Sequence, residues 1–114
     1  MLVELTRFKV KNGKTAEVEK WMDLLNEHMD QVLLTLEFEK MYVETIFREV
    51  LDGEEFLYWY SVQGEDGIEV TNSAHEIDQL HLQYWEECID SDFKPVDLET
   101  KVVMIPKNIR KMML

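Results

Sequence analysis

Three histidines, one cysteine and a few strand acids are the side chains here whose types suit catalysis or metal binding. His81 is the most pointed of them. It lies in a stretch whose apolar residues Ile77, Leu80, Tyr84, Trp85 and Cys88 repeat with helical period. At about 100° per residue it falls about 40° from Ile77, inside the stripe that must face a sheet. A buried imidazole requires a hydrogen-bond partner. The sheet face expected to receive the helices is the more apolar one, with Val43, Thr45, Phe47, Phe56, Tyr58, Tyr60 and Val62. His81 beside Thr45, Tyr58 and Tyr60 makes a polar patch in an aromatic surround. The ligand-binding set is then Thr45, Phe47, Tyr58, Tyr60, His81 and Trp85, with His81, Tyr58 and Tyr60 able to move protons. The competing reading is a core histidine held by a tyrosine hydroxyl.

Glu44 is the other catalytic candidate. It shares the opposite sheet face with Arg48, Ser61 and Trp59. A carboxyl pushed towards neutrality by burial serves as general acid or base. Paired with Arg7 or Arg48, it is an interface ion pair instead. His75 points about 160° from Ile77, so it cannot share a ligand with His81 from the same helix face. His28 sits at the edge of an earlier apolar stripe, where a structural or interface role is expected. No His-Glu-x-x-His spacing is present, nor a glycine-rich phosphate loop or dinucleotide fingerprint, so neither a metal nor another cofactor is expected. Cys88 lies on the buried helix face and away from basic residues, which argues against a reactive thiolate.

The elements that must position these groups follow from periodicity. Leu2 to Val10 reads as a first strand, broken by Asn12-Gly13-Lys14. Thr15 is a helix N-cap candidate, and Val18, Met22, Leu25, Met29, Val32 and Leu36 predict one helix to about Glu39. Met41 to Leu51 and Glu54 to Gln63 are strands joined by Asp52-Gly53, a two-residue hairpin signal. That turn sets Val43 opposite Val62, Thr45 opposite Tyr60, Phe47 opposite Tyr58 and Ile46 opposite Trp59. Gly64 to Asn72 reads as an acidic loop, a candidate gate, followed by a capping box of Ser73 and Glu76. Asp97 to Ile105 is the last strand, stopped by Pro106. The order β-α-β-β-α-β is that of an α+β, ferredoxin-like domain: a four-stranded antiparallel sheet with two helices on one face. Residues 1–106 form that single domain, and residues 107–114 a basic and apolar tail.

With 114 residues, the chain suits one domain able to bury a core without metal or disulfide. Its formal charge of −12 disfavours nucleic acid and anionic membrane surfaces. A single cysteine, no apolar run of membrane-spanning length and an N-terminus unlike a signal peptide make the cytoplasm the expected location. Both faces of the hairpin carry large apolar residues. Helices cover one, so a second copy is expected to cover the other.

Arg7-Phe8-Lys9-Val10-Lys11-Asn12-Gly13-Lys14, followed by a long amphipathic helix, resembles the opening of dimeric α/β-barrel superfamily proteins such as antibiotic-biosynthesis monooxygenases. Met41-Tyr42-Val43-Glu44-Thr45-Ile46-Phe47, Leu57-Tyr58-Trp59-Tyr60 and Ser73-Ala74-His75-Glu76-Ile77-Asp78, with His81 and Tyr84-Trp85, resemble an uncharacterised bacterial family of about this length. The resemblance implies two sheets packed face to face across a dimer axis, and a ligand pocket between helices and sheet. Haem-degrading members combine an asparagine, a tryptophan and a helix histidine. Trp59 and His81 match two of these, but the first strand offers Thr6 and Arg7 and no asparagine. The expected function is therefore a homodimer that binds a small apolar or aromatic molecule, with or without a cofactor-free reaction. The alternative is a non-catalytic interaction or regulatory protein with a filled core.

Overall fold

A computed structural model describes residues 1–65, 67 and 74–113 of the chain. Strand β1 (Leu2–Lys9) leads through helices α1 (Thr15–Glu27) and α2 (Met29–Glu39) to strands β2 (Met41–Leu51) and β3 (Glu54–Gln63). Helix α3 (Glu76–Cys88), strand β4 (Val96–Asp97) and the short helix α4 (Lys107–Arg110) complete it. The strands order as β2-β3-β1-β4, with every neighbour antiparallel. This is the ferredoxin-like α+β arrangement that the element order predicts.

The β2–β3 hairpin has the predicted register, including Val43 with Val62, Thr45 with Tyr60, Ile46 with Trp59 and Phe47 with Tyr58. Asp52 and Gly53 make this possible by taking positive φ angles of 52° and 78°, the twist a tight hairpin turn demands. A bulge between Met41 and Val43 shifts the first pair.

The helices, however, lie on the face opposite to the one expected. Leu57, Val10, Val18, Trp21, Cys88 and Ile89 form the core, with Phe8, Ile46, Trp59 and Trp85 packed against it. Thr45, Phe47, Tyr58 and Tyr60 alternate with these residues and point the other way. The physical reason lies in the polar residues of the helix face, which find partners there: Glu55 is buried, and Arg48 reaches it from the half-exposed rim. Arg48 Nε bonds Glu55 Oε2 at 2.5 Å, and the Thr15 hydroxyl donates to Glu55 Oε1 at 2.6 Å. Apolarity alone therefore misjudges the face.

Four local boundaries also differ. The single long helix is two, separated at His28, whose φ of −108° and ψ of 33° leave the helical range. Both ends stay bonded there: the His28 N–H donates to Leu24 O, and Gln31 and Val32 donate to His28 O. Lys14, not Thr15, holds the N-cap position of α1. Helix α3 begins at Glu76 with His75 as its N-cap; Ser73 and most of the loop expected to act as a gate lie outside the described residues. The last strand is short. Beyond Asp97 only Leu98 N to Leu5 O and the Thr100 hydroxyl to Val3 O continue the contact, and residues 101–105 run clear of β1 although Leu2 to Leu5 remain beside β4. No helix among the described residues is long and apolar enough to cross a membrane.

Candidate functional site

Two chain segments far apart in sequence meet at His81. Trp21 is fully buried, because α1 presents it with Val18 to the sheet. Its indole Nε1–H donates to His81 Nδ1 at 3.0 Å. An imidazole that accepts at Nδ1 while neutral carries its proton on Nε2. Burial lowers the His81 pKa below its ordinary value, and the Asp78 charge opposes this only in part. His81 is thus a neutral ring with one N–H donor. Trp21, Trp59 and Trp85 surround it, with ring centroids 5.4, 5.8 and 6.3 Å away.

Three acids from three elements gather beside this aromatic group. Glu44 comes from β2, Asp78 from α3 one turn before His81, and Glu39 from the last turn of α2. Burial raises the Glu44 pKa; the Trp59 indole hydrogen bond opposes that rise, and Asp78 adds to it. Glu39 is raised from 4.5 to about 7, by burial first and then by the Glu44 and Asp78 charges. Asp78 is itself buried, and its Oδ2 has no hydrogen-bond partner among the described residues. Like charges held together out of water cannot all ionise, so the group holds a proton near neutrality. A neutral imidazole donor beside carboxyls whose pKa values burial raises is an arrangement suited to general acid–base chemistry.

Of the residues expected to form the site, His81, Trp85 and Glu44 come together. Thr45, Phe47, Tyr58 and Tyr60 do not: they lie across the sheet from His81, a consequence of the exchanged face. Tyr58 instead donates to Glu49 Oε1 at 2.7 Å, a bond that raises its pKa. The partner of His81 is a tryptophan and not a tyrosine, and Arg48 pairs with Glu55 and not with Glu44. His75 sits at the N-cap of α3 near the Phe38 ring, and His28 occupies the break between α1 and α2. Burial pushes the Cys88 thiol up to about 11, which leaves it inert at neutral pH.

Sequence reasoning missed Trp21, Glu39 and Asp78. Two signals pointed to them. Asp78 precedes His81 by three residues, one helical turn, so the two share a side of α3. Glu39 ends a helix whose last turn contains no basic residue, where the helix dipole disfavours an acid. An acid in that position is held by something other than local preference.

A separate groove of about 250 Å³ runs between β1 and the segment after β4, bounded by Leu2, Leu5, Thr6, Asp97, Leu98 and Thr100. Its polar walls are satisfied by each other, Thr6 Oγ1 donating to Asp97 Oδ1 at 2.8 Å, so it offers little chemistry.

The fold and the acid–aromatic group together define a ferredoxin-like α+β protein with a buried polar cluster between helices and sheet. The chain belongs to a family of unknown function, DUF6176, whose model matches residues 1–111. No curated protein matches its sequence significantly. Among solved structures it resembles an L-rhamnose mutarotase, FA22100 from Formosa agariphila, with a TM-score of 0.54 and 16% identity. That likeness covers 94% of this chain and 100% of the mutarotase chain. At this identity it shows the shared fold.

Proposed function

We propose that the protein is a cytoplasmic homodimer that binds a small molecule beside His81 and moves protons on it without a cofactor. The observation that carries this reading is the Trp21–His81 hydrogen bond, next to three acids whose charges oppose one another. Indole faces and carboxyl groups in one place suit a ligand with an apolar ring face and hydroxyl edges. Such a ligand fits the site better than the purely apolar or aromatic molecule expected from the sequence. The rhamnose mutarotase is named for a reaction on a sugar of that type, and its likeness in fold supports the choice. In a ring-opening step a carboxylate of the group takes the proton of the anomeric hydroxyl. A protonated carboxyl, or His81 Nε2–H, gives one to the ring oxygen as its bond to the anomeric carbon breaks. Closure on the other face reverses both transfers.

The dimer reading rests on the outer sheet face, where Phe47 is 54% exposed beside half-buried Tyr58 and Tyr60. A stable pairing there buries about 1,000 Å² or more. Sedimentation at low micromolar concentration should show a dimer, and a clean monomer overturns that part.

All three tryptophans of the chain surround His81, so their fluorescence reports directly on the site. Titration with L-rhamnose and a panel of other reducing sugars should change the emission. Anomer exchange, followed by NMR, should accelerate with the wild type and not with His81→Gln. Unchanged fluorescence and uncatalysed exchange across the panel would sink the proposal. They would favour instead a filled core and a non-catalytic interaction role.

A further inference from the structure

Among the described residues two apolar surfaces stand exposed, and their charges are opposite. The first is the arm after β4. Beyond Thr100 it leaves the sheet, with Val102 70%, Met104 86% and Met112 81% exposed. Lys101, Lys107, Arg110 and Lys111 make it basic: residues 98–114 carry +3, which leaves −15 on residues 1–97 of a chain at −12. The second surface is the outer side of α2, where Leu33, Leu34 and Phe38 are each more than half exposed, with acidic Asp30 and Glu37 alongside.

We propose that the arm of one copy docks on α2 of a second copy, so that each subunit clasps the other. This rests on the homodimer reading given above. Topology brings the two surfaces together. The arm leaves at the β4 edge, at the end of the sheet where β1 begins, since Thr100 bonds Val3 O. Helix α2 ends and β2 begins at that same end, on the opposite edge, because Met41 and Leu2 both face Gln63. A twofold axis parallel to the strands, between packed outer faces, sets the β4 edge of each copy over the β2 edge of the other. It leaves the sheet ends unexchanged. The arm then emerges at the partner's β2 edge, around which lies α2, packed against β2 on the helix face. Residues 101–105, extended, reach about 17 Å, which crosses the separation of about 10 Å between packed sheets and leaves residues 106–113 to round the β2 edge to the helix layer behind it. Helix α4 and the residues after it carry the basic groups further. Charge gives the same answer. Two bodies this acidic repel each other, and a basic apolar arm laid on an acidic apolar helix offsets that repulsion at the contact.

Sedimentation velocity across a dilution series tests this on the full chain, a chain ending at Thr100, Met104→Asp and Phe38→Asp. The last two residues are exposed, so those variants should keep the fold even where the truncation does not. Each variant should raise the dimer Kd about tenfold or more, the scale of about 1.4 kcal/mol. Salt should weaken the wild-type dimer more than the truncated one. A wild-type dimer whose Kd none of the three variants changes overturns the clasp and leaves the dimer standing. A monomeric wild type overturns both.

Discussion

Ile46 and Phe47 are adjacent in β2, yet they belong to two different environments. Ile46 faces the helices with Glu44 and Arg48, while Phe47 faces outward with Val43 and Thr45. The outward side is the more apolar by composition and the less covered. The inward side holds an ion pair, a hydrogen-bonded histidine and three crowded acids, and is the core. The contrast teaches that polar residues in a core mark a task, and that apolar residues left outside mark a partner. A chain needing only stability would exchange the two sets.

The largest test of that contrast is at Trp21, the fully buried indole on the helix side. Trp21→Ala should cost about 3–5 kcal/mol of unfolding free energy, by loss of packing and of the bond to His81. A loss below about 1 kcal/mol, read by urea titration, would show that the aromatic group is not the structural centre. Next is His81→Ala, expected to cost about 1–3 kcal/mol because the Trp21 N–H is then buried without an acceptor. His81→Gln, with an amide oxygen to offer, should recover part of that stability but not the proton transfers proposed for the imidazole.

Glu39 tests the electrostatic side of the comparison. Its pKa is raised from 4.5 unfolded to about 7 folded, so between those values the folded chain binds the proton more tightly than the unfolded chain. Its contribution to stability is therefore present below about pH 4.5 and is lost as pH rises through about 7. Glu39→Gln should remove that loss. The variant should gain about 1–2 kcal/mol over wild type at pH 8 and nothing at pH 4.5. His81 acts in the opposite direction: its depressed pKa destabilises the fold as pH falls below its ordinary value of 6.5. An equal effect of Glu39→Gln at both pH values would mean that neither burial nor the neighbouring acids hold the Glu39 carboxyl neutral.

What was legible in the sequence divides along the same line. The hairpin register was legible from the turn as far as Val43, because Asp52-Gly53 admits one turn geometry and alternation does the rest; the bulge before Val43 was not. The element order and strand arrangement followed from period and connection length. The choice of face was not legible, since it depends on pairings made across long sequence distances, such as Trp21 with His81 and Thr15 with Glu55. For that reason the site candidates split, His81, Trp85 and Glu44 inside and Thr45, Phe47, Tyr58 and Tyr60 outside. The break at His28 was hidden because an unbroken 3–4 spacing of apolar residues crosses it. The shortened last strand was not legible, because nothing in residues 97–105 marks where the chain parts from β1.

The smallest expected effect gives the most direct comparison, because two neighbouring positions take the same substitution. Ile46→Thr and Phe47→Thr both keep a β-branched or strand-compatible residue in β2, so strand propensity scarcely separates them. Ile46 packs against the Trp59 and Trp21 side of the sheet, and its loss removes apolar contact from the core, about 1–2 kcal/mol. Phe47 is 54% exposed in the single chain, so its loss should change the stability of the dissociated subunit by about 0.5 kcal/mol or less. Melts at nanomolar concentration, where the subunit is free, should show that separation. At micromolar concentration Phe47→Thr should instead weaken dimerisation, because its ring is part of the face proposed to receive the second copy. If Phe47→Thr destabilises the free subunit as much as Ile46→Thr does, the outer face is already packed within one chain. The contrast between a working interior and a waiting exterior then fails.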